Sequence, residues 1–157
     1  MTTARPFLRP AAAVLSGVAL TAFAWHAVAS EVRPAQPQTA EAAPAPTDAL
    51  TIVWTSADPD VAHRMVLMYA AAAQRQSWFS DVRVIVWGPS QRLVVSDKDV
   101  RAAINAMQEQ GVEVVACLAC ADSYGIAGDL RDAGLEVRYM GAPLSDDLKS
   151  GRHVLSF

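Results

Sequence analysis

Cys117 and Cys120 are the two residues of this chain whose type and spacing best support chemistry. In Cys117-Leu118-Ala119-Cys120 one thiol falls where an apolar β-type run, Val112 to Ala116, ends, and the other falls where a helix opens. A three-residue separation across a strand-to-helix turn brings two sulfurs within bridging distance, so one thiolate can attack a bond the other has formed. Free amide N–H groups at a helix start favour the thiolate, and Asp122 in the same first turn opposes it by like charge. The pattern suits an accessible nucleophile and a resolving partner. Two buried small residues, or a static disulfide, are the bland alternatives at this spacing.

Other residue types offer less. A Cys pair needs further ligands to close a zinc site, and only His63 and His153 follow the N-terminal segment, neither spaced near the pair. A soft ion such as Cu(I) takes two thiolates and a thioether, which makes Met140 a candidate beside the more ordinary reading of it as core. Trp54 and Trp87 end the first two β-type runs and either wall a pocket or, as preferred here, fill the core. Gly88-Pro89-Ser90 reads as a turn, because no glycine-rich phosphate motif surrounds it. No Ser-His-Asp set can be assembled around Ser56 or Ser123. Candidate binding positions beside the thiols are Thr55, Ser56, Trp87, Gly88, Pro89, Ser90, Ser123, Tyr124 and Met140. No metal ligand set and no cofactor are expected.

These residues need a scaffold, and the pattern of the chain supplies one from Ala49 onward. Leu50 to Thr55 is a β-rich run, and Asp58-Pro59 gives an N-cap followed by proline at the first helical position. A helix is predicted over 59–76, apolar nearly all round between Met65 and Ala73, which suggests a second packing partner or subunit. Strand 82–87, a turn of helix at 91–95, and an amphipathic helix capped by Ser96 or Asp97 and ended by Gly111 come next. Strand 112–116, a helix over 119–133 with Gly134 as C-cap, strand 135–139, a short helix at 145–149 and strand 153–157 complete the domain. Apolar strands alternating with helices imply a three-layer α/β/α sandwich around a mostly parallel five-stranded sheet. In such sheets functional residues gather at the carboxyl ends of the strands.

The N-terminal part reads as targeting sequence. Residues 1–29 carry Arg5 and Arg9 but no acidic residue, then an apolar run from Ala11 to Trp25, then Ala27-Val28-Ala29, a pattern cleaved by a signal peptidase. The run is about 15 residues, short of the roughly 20 a membrane-spanning helix needs, so no stable span is expected after cleavage. Residues 30–48 are rich in Ala and Pro and are expected to be a disordered linker. Cleavage changes the formal charge from −3 to −5, with 11 basic against 16 acidic residues left. That balance argues against nucleic acid or anionic lipid as partner. An exported domain, periplasmic or extracellular, would keep its two cysteines where disulfides persist.

From Leu50 to Phe157 the chain resembles the DsrE/DsrF-like family of sulfur-relay proteins. The likeness is carried by the opening strand with its Met- and Ala-rich helix, by Val86-Trp87-Gly88-Pro89-Ser90 followed by Asp97, by Gly111-Val112-Glu113-Val114 leading into Ala116-Cys117, and by Tyr139-Met140-Gly141 through Leu155-Ser156-Phe157. The resemblance implies a compact α/β/α domain that assembles as a homo-oligomer, trimer or hexamer, and carries sulfur as a persulfide at a cysteine matching Cys117. Cys120 matches a second cysteine found in only some relatives, and its spacing from Cys117 makes it the expected resolving thiol. The expected function is sulfane-sulfur handling with a sulfur donor or acceptor, protein or small molecule, as partner. A non-catalytic module holding a soft metal or small ligand is the alternative. A dithiol oxidoreductase of thioredoxin style is weaker, because no aromatic residue precedes the pair and its interior lacks Gly-Pro or Pro-His.

Overall fold

A computed structural model describes residues 47–157. The expected signal peptide, 1–29, and all but the last two residues of the expected linker, 30–48, lie outside the described residues. Strand β1, Ala49–Trp54, is buried at all six positions, as a central strand covered on both faces must be. Asp58 then caps a helical stretch, its side chain accepting from the Asp60 N–H at 2.8 Å with Pro59 in the first turn. The stretch comprises α1, Pro59–Val61, a π-helical segment, Ala62–Leu67, and α2, Met68–Arg75, so the predicted single helix contains a widened turn. Strands β2, Asp81–Val86, β3, Glu113–Cys117, β4, Glu136–Arg138, and β5, His153–Ser156, complete one sheet in the order β4-β3-β2-β1-β5. Every described pairing is parallel, so the mostly parallel sheet of the sequence reading is parallel throughout.

The remaining helices are α3, Ser90–Ser96, α4, Lys98–Glu109, α5, Leu118–Tyr124, α6, Ala127–Asp132, and α7, Gly141–Lys149. Two predicted boundaries are corrected. The helix expected over 119–133 is α5 and α6, broken where Gly125 adopts φ +69°, a left-handed C-cap whose N–H closes on the Ala121 and Asp122 carbonyls. The helix expected at 145–149 starts at Gly141, because Met140 supplies the first helical carbonyl, which accepts from the Leu144 N–H at 3.0 Å.

Handedness decides how these helices share the two faces of the sheet. Crossovers between parallel strands are right-handed, so the steps β1 to β2 to β3 to β4, all in one direction, put their helices on one face. The step from β4 back past β1 to β5 runs the other way and puts α7 alone on the opposite face. The side chains follow. Leu50, Ile52, Trp54, Val82, Val84, Val86, Val114 and Ala116 join the large core beneath α2, α4 and α6. The alternate residues Ile85, Val115 and Cys117 form a small second core with Met140, against which Trp87, Cys120 and Leu144 pack.

The N-terminal half of that second face is polar. Asp147 on α7, 9 % exposed, accepts from Thr51 Oγ1 at 2.7 Å and from Arg83 Nη1 at 3.1 Å. Arg83 also pairs with Glu113 at 2.6 Å, and Glu113 with Arg138 at 2.7 Å. Burial pulls the Arg83 pKa down, but Glu113 and Asp147 together outweigh it, so the guanidinium is held more firmly charged than usual. The layer over this face is therefore one helix, pinned by ions at one end and by apolar contacts beside the cysteines at the other.

Candidate functional site

The return connection through α7 creates a switch point between β3 and β4. The chain leaves β3 toward one face through α5, and leaves β4 toward the other through Met140 and α7. Diverging connections open a crevice at the carboxyl edge of a parallel sheet, the usual place for a ligand in such folds. Cys117 is the last residue of β3 and stands in register with Arg138 of β4. Met140, fully buried, belongs to the same small core as Cys117.

The expectation that Cys117 is the accessible sulfur is corrected. Its residue is 2 % exposed, because β3 is an interior strand, flanked by β4 and β2, and its end is roofed by Met140 and neighbouring residues. Cys120, one turn into α5, is half-buried and is the more open thiol of the two. Both cysteines are free and close enough to influence each other's ionisation. Burial pushes the Cys120 thiol above the usual cysteine range, and Cys117 adds to this through charge and hydrogen bond. The nearby Gly88 N–H works in the opposite direction without overcoming them. That amide is presented by a left-handed residue, φ +65°, in which glycine is at ease. The helix start and Asp122 oppose each other in the sequence; for Cys120 the packing around it sets the direction upward.

Two adjacent polar residues at the start of α3 hold the strand ends that carry this site. Ser90 is fully buried; its Oγ donates to the Trp54 carbonyl at 2.7 Å and accepts from the Trp87 N–H at 3.1 Å, tying β1 to β2. Gln91, also fully buried, donates from Nε2 to the Val86 carbonyl at 3.0 Å and to the Cys117 carbonyl at 2.9 Å, tying β2 to β3. Gln91 was not singled out in the sequence. A glutamine followed by Leu93 and Val94, just after a Gly-Pro turn, is a polar residue on the buried side of a short helix, and that was its only signal.

The other predicted positions divide between the site and its surroundings. Trp87 is half-buried against the cysteine cluster, Gly88 supplies the amide, and Tyr124 lies one turn beyond Cys120. Ser123 is exposed and donates to the Cys120 carbonyl at 2.8 Å. Pro89 is exposed on the turn. Thr55 and Ser56 sit after β1, two strands away, where Thr55 Oγ1 donates to the Phe157 carbonyl at 2.7 Å and Ser56 Oγ accepts from the Asp58 N–H at 3.1 Å. Trp54 is wholly in the large core. His63 and His153 are both exposed, and His153 packs on Phe79. Among the described residues no group of three or more His, Cys, Asp or Glu side chains is arranged to hold a metal ion, and no helix is long and apolar enough to cross a membrane.

A neighbouring thiol pair at the switch point of a parallel sheet defines a small α/β protein with a dithiol site, able to form a persulfide, a mixed disulfide or an internal disulfide. The family follows from comparison: the model of the DsrE/DsrF-like family matches residues 48–157, and the chain belongs to that family. Among solved structures it is similar to a conserved protein of unknown function from Bacteroides thetaiotaomicron, with 37% identity, a TM-score of 0.67, and coverage of 70% of this chain and 95% of the other. No curated protein matches the chain.

Proposed function

We propose that this domain carries sulfane sulfur on its cysteine pair, with Cys120 receiving the sulfur and Cys117 resolving it, the reverse of the order expected from the sequence. One observation carries the reading: of two thiols within reach of each other, Cys120 is the open one and faces a backbone amide that favours its anion. Family membership supports the sulfur chemistry. In the loading step the Cys120 thiolate attacks the outer sulfur of a hydropersulfide. The donor's S–S bond breaks, a new S–S bond forms on Cys120, and the proton released by Cys120 leaves with the donor thiol. An acceptor thiolate then takes the outer sulfur. In the absence of an acceptor, Cys117 attacks the inner sulfur, closing the Cys117–Cys120 disulfide and releasing hydrogen sulfide. An external dithiol then returns two electrons and two protons to regenerate both thiols.

Intact-mass measurement of reduced protein treated with a small hydropersulfide tests this. Cys117→Ser gains one sulfur atom and keeps it, the wild type gains one and converts to the disulfide, and Cys120→Ser gains none. Loading of Cys120→Ser at the wild-type rate refutes the order proposed.

A second reading draws on Met140. Two thiols and a thioether in one small cluster form a soft donor set of the kind that binds Cu(I). Copper near one ion per chain after native purification, lost in Met140→Leu, selects that reading. We also propose that the domain works outside the cytoplasm, following the signal-like residues 1–29, and as a homo-oligomer, trimer or hexamer. Met65, Met68, Trp78, Tyr139 and Leu148 are large apolar residues left exposed on the single chain, which favours self-association.

A further inference from the structure

The surroundings of Cys120 carry a second recognition element. The Gly88 amide meets Cys120, and the Arg92 guanidinium lies 4.8 Å from the ring centroid of Tyr124. Both contacts join the segment opening α3 to α5, and they are four residues apart on each. The two segments therefore run side by side in the same direction. Four helical residues rise about 6 Å, so the Arg92–Tyr124 stack stands about one turn from the sulfur. On α5, Tyr124 is rotated only about 40° from Cys120, whereas Asp122 is rotated about 200° and points away. Arg92 is exposed and, among the described residues, makes no ion pair. The stack on Tyr124 restricts its long side chain without neutralising it.

We propose that Arg92, braced by Tyr124, anchors the carboxylate of a small sulfur donor whose outer sulfur is delivered to Cys120. The inference rests on the sulfur-handling reading above and names its substrate class: a low-molecular-weight hydropersulfide bearing a carboxylate two or three atoms from the sulfur. Such a donor spans about 5 Å between outer sulfur and carboxylate, matching one helical turn. Its sulfur end meets the half-buried Trp87, an apolar neighbour that suits sulfur, while its charged end stays at the exposed rim. The chemistry is that of the loading step, with the donor leaving as its thiol carboxylate.

The test compares loading rates by intact mass for the hydropersulfides of 3-mercaptopropionate and of its methyl ester. Wild type loads the acid roughly three- to fivefold faster than the ester, the scale of one exposed charge pair. That preference shrinks as salt rises. Arg92→Gln brings acid loading down to the ester rate, and Arg92→Lys restores part of the preference. Equal rates for acid and ester on the wild type, or a preference that survives in Arg92→Gln, overturn the anchor and leave the carrier reading intact. If the wild type accepts sulfur from neither donor, the anchor and the carrier reading fall together.

Discussion

Replacing Gln91 by leucine isolates the clamp that fixes the strand ends beneath the dithiol. The glutamine is fully buried and its Nε2 makes two hydrogen bonds, 3.0 Å to the Val86 carbonyl and 2.9 Å to the Cys117 carbonyl. Leucine is close in volume, so little cavity is created, and the Gln91 Oε1 has no partner to lose among the described residues. What remains is two carbonyls deprived of a donor. A typical hydrogen bond contributes about 1 kcal/mol net, and a buried group left unpaired costs about 1–3 kcal/mol. Apolar gain from the leucine offsets part of this, giving a destabilisation of roughly 2–3 kcal/mol. Urea unfolding followed by tryptophan fluorescence reads it directly, with a midpoint lowered by about 1–2 M for a small domain. The second readout is alkylation of Cys117 in the native protein, which accelerates as the end of β3 loosens. A loss below about 0.5 kcal/mol, the level of an ordinary surface change, with alkylation unchanged, refutes the clamp.

Two further outcomes follow from the same packing. The alkylation rate of Cys120 rises with pH to a midpoint above about 8.5, the ordinary thiol value, because burial and Cys117 raise its pKa; a midpoint at or below that value contradicts the site as described. The sign carries to stability: the unfolded chain ionises its thiol first, so stability is held below the unfolded pKa and falls as pH climbs toward the folded one. Cys120→Ala flattens that decline in pH-dependent urea unfolding. Asp147→Leu removes the acceptor of Thr51 and one partner of Arg83, which keeps Glu113. The expected loss is about 2–3 kcal/mol, near the low end for breaking a buried pair, and it is measured by the same unfolding curve. A neutral result would mean that α7 is held chiefly by its apolar contacts.

The position of the cysteines deserves its physical context. A single layer covers their face of the sheet, because one crossover of five strands reverses direction and only α7 is carried to that side. The dithiol thus lies under the thinner of the domain's two helical layers, at the carboxyl edge where β3 and β4 part company. A deeper second layer would have closed Cys120 off, and a two-layer fold without α7 would have left Cys117 in water.

Local pattern was sufficient wherever a short stretch of chain decides its own conformation. The unbroken apolar run of β1, the Asp58-Pro59 cap, the amphipathic α4 begun by Asp97, and the placing of Cys117 and Cys120 on either side of a strand-to-helix boundary all rest on neighbours within a few residues. Gly125 also announces itself in the chain, but its left-handed turn within an otherwise helical pattern became visible only once Ile126 and Leu130 were seen packed in the core. Which thiol reaches solvent was a different kind of question. It depended on Met140, on Trp87 and on the Gly88 amide, residues 20 to 33 positions from the cysteines that the parallel sheet brings to one edge. Gln91 at the carbonyl of Cys117 and Arg92 on Tyr124 arise in the same way, since α3 and α5 follow different strands and meet only because β2 and β3 are neighbours. Periodicity along the chain records which residues are buried; the handed crossovers of the sheet determine what they are buried against.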